Sequence, residues 1–376
     1  MKKKYGKIVM AVGGTGGHIY PALALTQEIE KIDPELLINF IVDYRPLAYR
    51  VFSSNGYHVN RIASSPLPRK KVYNICMFIV KIIIGTAESL ILLKKIKPDI
   101  MVAFGAYISV PAVFAAFICG VPVILHEQNY FPGLANKFLT FMAKHVAISY
   151  KASIKYFPAD KTVLTGNPVR KVVLDTDRKK GIDYFGLDER RITIMVFGGS
   201  LGSYNINSAL MGALPYLEEY NDKLQFIHIC GNKLYRELLE HYSKFQFSAR
   251  IYKYLEPIEN AYSVADIILA RAGATTIAEI AAIGIPAIFI PYSESTSQHQ
   301  FLNTKPLCKL GGAICYNEDE LGGEGLALRL RSLIMDDNKR RDMKIRSGML
   351  SERFTQASAR LAQLVMKNMR PGSGKR

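Results

Sequence analysis

The chain of 376 residues is too long for one ordinary hydrophobic core and is long enough for two domains of about 150–200 residues each. Its content of 49% hydrophobic and 22% charged residues is typical of a globular protein. Its five cysteines form no CxxC pair, which argues against a disulfide framework or a cysteine zinc site and indicates a reducing compartment. The apolar run Ile8–Val12 is too short for a signal-peptide core, so we expect a cytoplasmic protein.

The net charge of +17 is distributed unevenly. Residues 1–165 hold 20 Lys and Arg against 9 Asp and Glu, a net +11, and the rest of the chain carries +6. This basic first half predicts a polyanionic partner: nucleic acid, an anionic lipid surface or a phosphorylated substrate. Nucleic acid fits poorly, because the sequence shows neither a helix-turn-helix pattern nor the interleaved aromatic and basic residues of an RNA-binding sheet.

Short β-branched runs alternate with longer helical segments, which predicts an α/β fold of βα units on parallel sheets. We predict strands at Lys7–Val12, Leu37–Val42, Ile100–Phe104, Val121–Leu125, His145–Ile148, Ile192–Phe197, Gln225–Cys230, Ile267–Ala270 and Ala287–Ile290. The first and sixth of these strands each lead into a glycine loop and then a helix. This repeat predicts two Rossmann-like domains facing each other across a cleft, residues 1–165 and 166–350, with residues 351–376 forming a helix that packs back towards the first domain and a tail.

The first glycine loop runs from Gly13 to His18 and reads GGTGGH. It is not GxGxxG, so a nicotinamide cofactor is not favoured. Its glycines expose backbone N–H groups at a helix N-terminus, which suits a phosphate or a developing oxyanion. An imidazole at this helix end can accept a proton near neutral pH, whereas the structural alternative is a tight turn with a capping histidine.

Two further strand-to-helix loops lie in the second half of the chain. The loop Gly198–Ser203 repeats the geometry of the first, and Ser200 can donate to a phosphate oxygen. The stretch RAGATTIAE, Arg271–Glu279, opens a helix with small residues that leave N–H groups for a pyrophosphate. Glu279 can accept both hydroxyls of a ribose; the structural alternative is a capped helix with a favourable acidic residue.

Neutral polar groups follow two other predicted strands. Gln300 and Asn303 share one helical face, and their amides suit the hydroxyls of a sugar, or else a solvated surface. His126-Glu127-Gln128-Asn129 ends a strand, where open α/β sheets bind ligands. His126 is equally explained as a buried orienting residue. Asp175-Thr176-Asp177 resembles a metal-binding DxD but lies in a charged linker, so we predict no metal site.

The segment Pro66–Lys95 predicts membrane contact. Lys81 and Glu88 interrupt its apolar run, so we do not expect a transmembrane span. Arg69, Lys70 and Lys71 beside the apolar stretch Ile75–Ile84 predict a patch for anionic headgroups and the acyl boundary. The structural alternative is a buried helix with a charged flank.

Six motifs together resemble one family. GGTGGH with Pro21 shortly after it, HEQN, GNPVR, FGGSLGS, RAGATTIAE and HQFLN resemble, in the same order, the motifs of the MurG family, the peptidoglycan N-acetylglucosaminyltransferases of glycosyltransferase family 28 type. The resemblance covers about residues 7–312. It implies the two-Rossmann GT-B fold. It also implies inverting transfer of GlcNAc from UDP-GlcNAc to the C4 hydroxyl of MurNAc in undecaprenyl-pyrophosphoryl-MurNAc-pentapeptide (lipid I), giving lipid II and UDP.

The resemblance also implies residue roles. His18 is the implied general base, although another group stays open as the base. The implied substrate-binding residues are Thr15, Gly16, Gly17 and Asn129 in the first domain, and Arg170, Ser200, Leu255, Ala274, Thr275, Thr276, Ile277, Ala278, Glu279, Gln300 and Asn303 in the second. No cofactor is implied. A peripheral position on the cytoplasmic face of the plasma membrane and candidate partners in cell-wall synthesis are implied. The alternative is a related enzyme that glycosylates another lipid, such as diacylglycerol.

Overall fold

The computed structural model describes residues 6–66, 72–199, 202–293, 299–320 and 322–370. The chain folds as two compact units. The first unit contains Met1–Arg170 together with Gln356–Arg376, and the second contains Lys171–Thr355. The chain therefore leaves the first unit once, builds the second and returns to the first at its end.

The first unit alternates strands and helices. Its elements up to residue 164 are β1 Lys7–Val12, α1 Gly16–Ile32, β2 Leu37–Val42, α2 Pro46–Ser54, β3 His58–Arg61, α3 Val72–Ile96, β4 Ile100–Ala103, α4 Ser109–Ile118, β5 Val123–Glu127, α5 Leu134–Leu139, β6 His145–Ile148 and β7 Thr162–Leu164. All strand pairs are parallel, in the order β3-β2-β1-β4-β5-β6-β7. A parallel sheet of this kind needs helices on both faces.

Strand β1 shows how the sequence builds both cores of the first unit. Successive side chains of a strand point to opposite faces of the sheet. Ile8, Met10 and Val12 enter the core under α1 and α2, whereas Val9 and Ala11 enter the core under α3 and α4. All five side chains are fully buried. The continuous apolar run of β1 therefore follows from its central position in a two-faced sheet.

The second unit repeats this architecture. Its elements are α6 Lys171–Leu174, α7 Arg178–Phe185, β8 Ile192–Phe197, α8 Tyr204–Leu217, β9 Leu224–Ile229, α9 Tyr235–Tyr242, β10 Ser248–Tyr252, α10 Glu259–Val264, β11 Ile267–Ala270, α11 Ala274–Ile283, β12 Ala287–Phe289, α12 His299–Lys309, β13 Ala313–Cys315, α13 Gly323–Ile334, α14 Asp337–Gly348 and α15 Ser351–Thr355. The six parallel strands lie in the order β10-β9-β8-β11-β12-β13.

In both sheets the strand order reverses beside the strand that leads into a glycine loop. The reversal falls between β1 and β4 in the first unit and between β8 and β11 in the second. At such a point the loops of neighbouring strands leave to opposite faces, which opens a crevice at the carboxyl ends of the strands. The loops after these four strands are therefore the candidate ligand-binding positions of each unit. The two Rossmann-like units confirm the predicted fold class.

The final helix, α16 (Ala357–Asn368), belongs to the first unit and packs against α1. Leu361 and Val365 are fully buried in the core beneath α1. Polar contacts hold both ends: Ser358 Oγ donates to the Val169 carbonyl at 3.3 Å, and Asn368 Oδ1 lies 3.1 Å from His145 Nε2. The last helix is therefore an integral part of the first unit.

The strands that the sequence predicted lie within two residues of their observed bounds, but four strands were missed. These are β3, β7, β10 and β13, the two edge strands of each sheet. Most of their residues are only half-buried or exposed. An edge strand does not need the continuous apolar run of a central strand, so hydrophobic pattern identifies it poorly.

We expect Leu361→Ala to destabilise the first unit by about 2–5 kcal/mol, because it leaves a cavity under α1. Urea denaturation followed by circular dichroism measures this change. Gln363→Ala, an exposed position on the same helix, is the matched control. Equal denaturation midpoints for both variants would show that α16 does not contribute to the core.

Candidate active site

The first glycine loop connects β1 to α1 through a close approach of three segments. A Cβ on Gly13 would lie 2.6 Å from the Ala106 Cβ and 2.9 Å from the His18 Cδ2. Only glycine therefore lets the loop after β4 and the His18 ring meet at this point. The backbone N–H groups of His18 and Ile19 both donate to the Thr15 carbonyl, at 3.0 and 3.1 Å. Thr15 and Gly17 are exposed and Gly16 is half-buried, so the predicted loop residues share one accessible turn.

Among the described residues, one nitrogen of the His18 imidazole has no partner. Its hydrogen-bonding neighbours are the Gln128 side chain and the Phe104 carbonyl. Among the described residues, its Nδ1 is buried and has no hydrogen-bond partner. Burial lowers the pKa of the ring below 6.5, and this outweighs the neighbouring acceptors that raise it. His18 is therefore neutral at pH 7, and its Nδ1 is the ring nitrogen that no described residue engages.

His126 and Gln128 form a buried scaffold next to His18. The Gln128 Nε2 donates to the Phe104 carbonyl at 2.9 Å and lies 3.0 Å from the His126 Nδ1. The His126 Nε2 lies 3.1 Å from the Gly166 carbonyl, so this nitrogen carries the proton and Nδ1 accepts. Burial lowers the pKa of His126 to about 4. These contacts favour the orienting role over the catalytic one for His126.

Glu127 holds the next turn of the chain. Its Oε1 accepts from the backbone N–H of Asn129 at 2.9 Å and from the Asn129 side chain at 3.1 Å. Its Oε2 accepts from the Asn136 side chain at 2.8 Å and from the Gly133 N–H at 3.0 Å. Burial raises the pKa of this carboxyl. Asn129 is therefore fixed at the carboxyl end of β5, two strands from the glycine loop.

The sequence analysis missed an ion pair beside the first loop. Asp43 directly follows β2, and the Arg45 Nε donates to its Oδ2 at 2.9 Å. A Cβ on Gly14 would lie 2.6 Å from the Arg45 Nε and 2.7 Å from the Asp43 Oδ1, so the pair lies directly against the loop. Arg45 lowers the pKa of His18, and Asp43 raises it. The signal in the sequence was an Asp-x-Arg after the strand that neighbours β1.

Arg170 differs from its predicted place. The sequence analysis put it in the second domain, from residue 166 onward, whereas the structure places it at the end of the first unit. Its side chain is buried, and the guanidinium carbon lies 4.2 Å from the centroid of the Tyr20 ring on α1. This stacking belongs to the first unit, because α1 does.

The second glycine loop is built for close packing of the backbone. Gly202 has a φ of +77°, and a Cβ there would lie 2.1 Å from the Cys230 carbonyl oxygen. Ser203 then caps α8, its Oγ accepting from the Ile206 N–H at 3.4 Å. Ser200 and Leu201 lie outside the described residues. The described part of the loop therefore places the N-terminus of α8 beside the point where the strand order reverses.

The stretch after β11 forms the N-terminus of α11. Gly273 is the residue before the helix, and its carbonyl accepts from the Ile277 N–H at 2.9 Å. No acidic residue occupies the first turn in this described helix. Ile277 and Ala278 are buried in the core, and Ala274 and Thr275 are buried at the helix start, with Thr276 half-buried. The side chains of this turn are therefore mostly used in packing, and an anion at a helix N-terminus is bound through the backbone.

Glu279 lies one turn further along α11 and is held in place by a tyrosine. The Tyr262 Oη donates to the Glu279 Oε2 at 3.0 Å, and both side chains are buried. Because the hydrogen bond uses one carboxylate oxygen, the orientation of the carboxyl group is determined before any ligand binds. Tyr262 is a further residue that the sequence analysis missed.

The amides of α12 connect neighbouring loops. The Gln300 Oε1 accepts from the Tyr292 N–H at 2.9 Å. The Asn303 side chain is buried and donates to the Ala272 carbonyl at 3.4 Å, directly before α11. Leu255 is buried in the segment between β10 and α10.

The two units match two known domains. Residues 8–148 match the glycosyltransferase family 28 N-terminal domain, and residues 193–363 match the glycosyltransferase family 28 C-terminal domain. The structure of MurG from Acinetobacter baumannii superposes with a TM-score of 0.73 and 26% identity, over 96% of this chain and 99% of that one. A UDP-GlcNAc 2-epimerase from Neisseria meningitidis shares the fold alone, with a TM-score of 0.67 and 15% identity. The fold and its loops define a glycosyltransferase of the GT-B class.

Similar sequences identify the family within this class of glycosyltransferases. A protein of Halothermothrix orenii is 38% identical over 90% of this chain and 92% of its own length, and one of Thermodesulfovibrio yellowstonii is 36% identical over 91% and 93%. Both are named UDP-N-acetylglucosamine–N-acetylmuramyl-(pentapeptide) pyrophosphoryl-undecaprenol N-acetylglucosamine transferase. The chain belongs to this family of transferases, the MurG family, as the six motifs predicted.

We expect the rings of His18 and His126 to titrate below the ordinary value of 6.5, His126 at about 4. Both rings then stay neutral as the pH falls to that ordinary value and become charged only at lower pH. Ring ¹³C and ¹⁵N shifts of histidine-labelled protein, followed over pH, measure this. Because the chain has seven histidines, the variants His18→Gln and His126→Gln assign the two resonances by their loss. A ring that is already charged at pH 6.5 would contradict the burial shown here.

Proposed function

We propose that this chain transfers GlcNAc from UDP-GlcNAc to the C4 hydroxyl of MurNAc in lipid I, which produces lipid II and UDP. The observation that carries the proposal is the neutral His18, with its unpartnered Nδ1 on the glycine loop of a MurG-family chain. Relatives matching about nine tenths of the chain are named for a pyrophosphoryl-undecaprenol acceptor, which favours lipid I over a diacylglycerol.

His18 acts as the general base in this proposal. Its Nδ1 takes the proton of the acceptor hydroxyl as the hydroxyl oxygen forms a bond to C1 of GlcNAc. The bond between C1 and the UDP oxygen breaks at the same time, and its electron pair leaves with UDP. Attack from the face opposite to UDP inverts the configuration at C1. Thr15, Gly16, Gly17 and Asn129 contact the substrates on the side of the first unit.

The second unit binds UDP-GlcNAc. The N-terminus of α11, at Ala274–Thr276, stabilises the negative charge that develops on the leaving pyrophosphate. The backbone of Ile277 and Ala278 continues this turn, and Ser200 adds a donor. Glu279 accepts the two ribose hydroxyls, because Tyr262 already orients its carboxyl group. The remaining donor contacts of this unit are Gln300 and the backbone of Leu255, with Asn303 supporting the loop before α11. Arg170, at the end of the first unit, is a further proposed donor contact.

We infer that α3 brings the enzyme to the membrane. From Ile75 to Ile96 the helix is long and apolar enough, by length and composition alone, to cross a membrane, with a mean hydropathy of 2.1. The second half of α3, however, packs against the segment that follows β3. Glu88 accepts from the Ala63 N–H at 2.6 Å, and a Cβ on Gly85 would lie 2.1 Å from the Ala63 carbonyl oxygen. A helix packed in this way suits the surface of a bilayer rather than a span through it.

The first half of α3 exposes the apolar residues that this surface needs. Ile75, Met77, Ile79, Val80 and Ile83 are each between 40% and 62% exposed. A soluble protein rarely exposes so many adjacent apolar side chains without a partner. The basic charge of residues 1–165 favours an anionic surface, which supports a peripheral position on the cytoplasmic face. Arg69, Lys70 and Lys71, predicted to contact the headgroups, lie outside the described residues.

A transfer assay tests the proposed reaction. Purified protein, radiolabelled UDP-GlcNAc and a lipid I analogue should give labelled lipid and UDP. We expect His18→Ala to lower kcat by about 10²–10⁴-fold, because the base is lost, while donor affinity stays the same. Transfer to diacylglycerol but not to lipid I would refute the acceptor, and full turnover by His18→Ala would refute the base.

We expect Ile83→Glu to weaken binding to vesicles containing anionic lipid by about tenfold or more, because it removes a large apolar contact and adds a negative charge. Vesicle co-sedimentation measures this. Leu328→Glu changes an equally exposed apolar residue on α13 of the second unit and is the control. Equal binding by both variants would exclude α3 as the membrane contact.

A further inference from the structure

One buried carboxylate in the second unit binds three separate loops. Glu318 opens a short 3₁₀ helix, Glu318–Glu320, directly after β13. Its Oε1 accepts from the Asn205 side chain at 2.6 Å and from the Arg271 guanidinium. Its Oε2 accepts from both the backbone N–H and the hydroxyl of Ser293, at 2.9 and 3.1 Å. Each carboxylate oxygen therefore holds two donors.

The partners of Glu318 come from the carboxyl ends of neighbouring strands. Asn205 lies in the first turn of α8, after β8 and its glycine loop. Arg271 follows β11, and Ser293 follows β12. With Glu318 itself after β13, the cluster joins the ends of four adjacent strands, β8-β11-β12-β13. Ligands of open α/β sheets bind at this edge.

Arg271 connects the cluster to the start of α11. The side chain of Arg271 is 12% exposed and that of Glu318 is 3% exposed, so the ion pair is shielded from water. Arg271 also donates to the Ile290 carbonyl at 3.2 Å, and its guanidinium carbon lies 5.2 Å from the centroid of the Tyr292 ring. Arg271 lies three residues before Ala274, where α11 begins. A shift of Arg271 therefore moves the turn that leads into α11.

The buried carboxyl group of Glu318 stays negatively charged. Burial raises the pKa of its carboxyl, but the donors from Arg271, Ser293 and Asn205 outweigh burial and hold the pKa below its ordinary value. A buried ion pair contributes little net stability when both partners are present, but the loss of one partner leaves an unpaired buried charge. The cluster is therefore better suited to fixing one arrangement of loops than to stabilising the fold.

We propose that Glu318 is a positioning residue of the donor site: it holds the loops after β8, β11 and β12 in the arrangement that binds the nucleotide diphosphate of the sugar donor. This inference rests on the proposed function, because it assigns the donor to the second unit. Glu318 does not contact the donor in this account. It acts through Arg271 and the start of α11, through Ser293, and through the first turn of α8.

Glutamine cannot replace Glu318 in this role. All four groups around its two oxygens are donors, so a carboxylate satisfies every one. An amide presents one oxygen and one NH₂ group. Whichever way the amide turns, its NH₂ faces two donors, either those of Ser293 or those of Asn205 and Arg271. Glu318→Gln must therefore release at least one loop while it keeps the size of the side chain.

We expect Glu318→Gln to raise the Kd for UDP and the KM for UDP-GlcNAc by about tenfold, and to leave the KM for the lipid acceptor within about twofold of wild type. Titration calorimetry with UDP and the transfer assay measure these constants on the full chain. Glu320→Gln is the matched control, since this neighbouring carboxylate is exposed and binds the Asn317 side chain. We expect the control to bind UDP as wild type does.

Asn205→Ala removes one contact of the cluster and keeps the test valid if Glu318→Gln unfolds, which a thermal melt detects. We expect Asn205→Ala to weaken UDP binding by a smaller factor. We expect the double variant to lose less UDP affinity than the product of the two single losses.

A UDP affinity in Glu318→Gln equal to or tighter than that of wild type would overturn the proposal. So would an equal rise in KM for both substrates, which indicates general destabilisation. If wild-type protein fails to bind UDP, the proposed function itself is wrong.

Discussion

Parallel pairing brings the carboxyl ends of the strands to one edge of each sheet, and the chemistry of this protein depends on that constraint. Because both faces of each sheet are covered by helices, the strands are mostly apolar, and most of the polar groups of the candidate sites lie at or just beyond the carboxyl ends of the strands. In the first unit they are the glycine loop with His18, and Asp43 and Asn129. In the second they are the start of α11 and the Glu318 cluster. The order of the strands decides which of these loops are neighbours.

The two units use burial in different ways. In the first, burial keeps His18 neutral, and Gln128 and His126 orient the surrounding groups without adding a charge. A neutral imidazole suits the removal of a proton from a hydroxyl. In the second, burial isolates a charged pair, Arg271 and Glu318, which together carry no net charge. In the proposed function the first arrangement serves proton transfer, and the second serves the position of the loops that bind the donor.

Helix α3 departs from the pattern of the other helices. A helix on a parallel sheet normally buries one apolar face and presents a polar one. Here Gly85, Ser89 and Leu93 form the packed face, whereas Ile79 and Ile83 stay exposed on the other side. The cost of exposing them to water is removed when a bilayer covers them, which agrees with an acceptor that carries an undecaprenyl chain.

Local sequence was enough to identify the central strands, both glycine loops and the six motifs, because central strands need continuous apolar runs and tight turns need glycine. It was also enough to identify the family. The sequence did not predict the four edge strands, because half-exposed strands tolerate polar residues and lack a continuous apolar run. Only the three-dimensional structure shows three contacts: Asp43 against the glycine loop, Tyr262 with Glu279, and Glu318 with Arg271. Tyr262 lies 17 residues from Glu279 in the chain, and Glu318 lies 113 residues from Asn205. Asp43 meets the glycine loop only because β2 pairs with β1. Hydrogen bonds between distant segments leave no periodic signal in a sequence, so only the tertiary structure decides them.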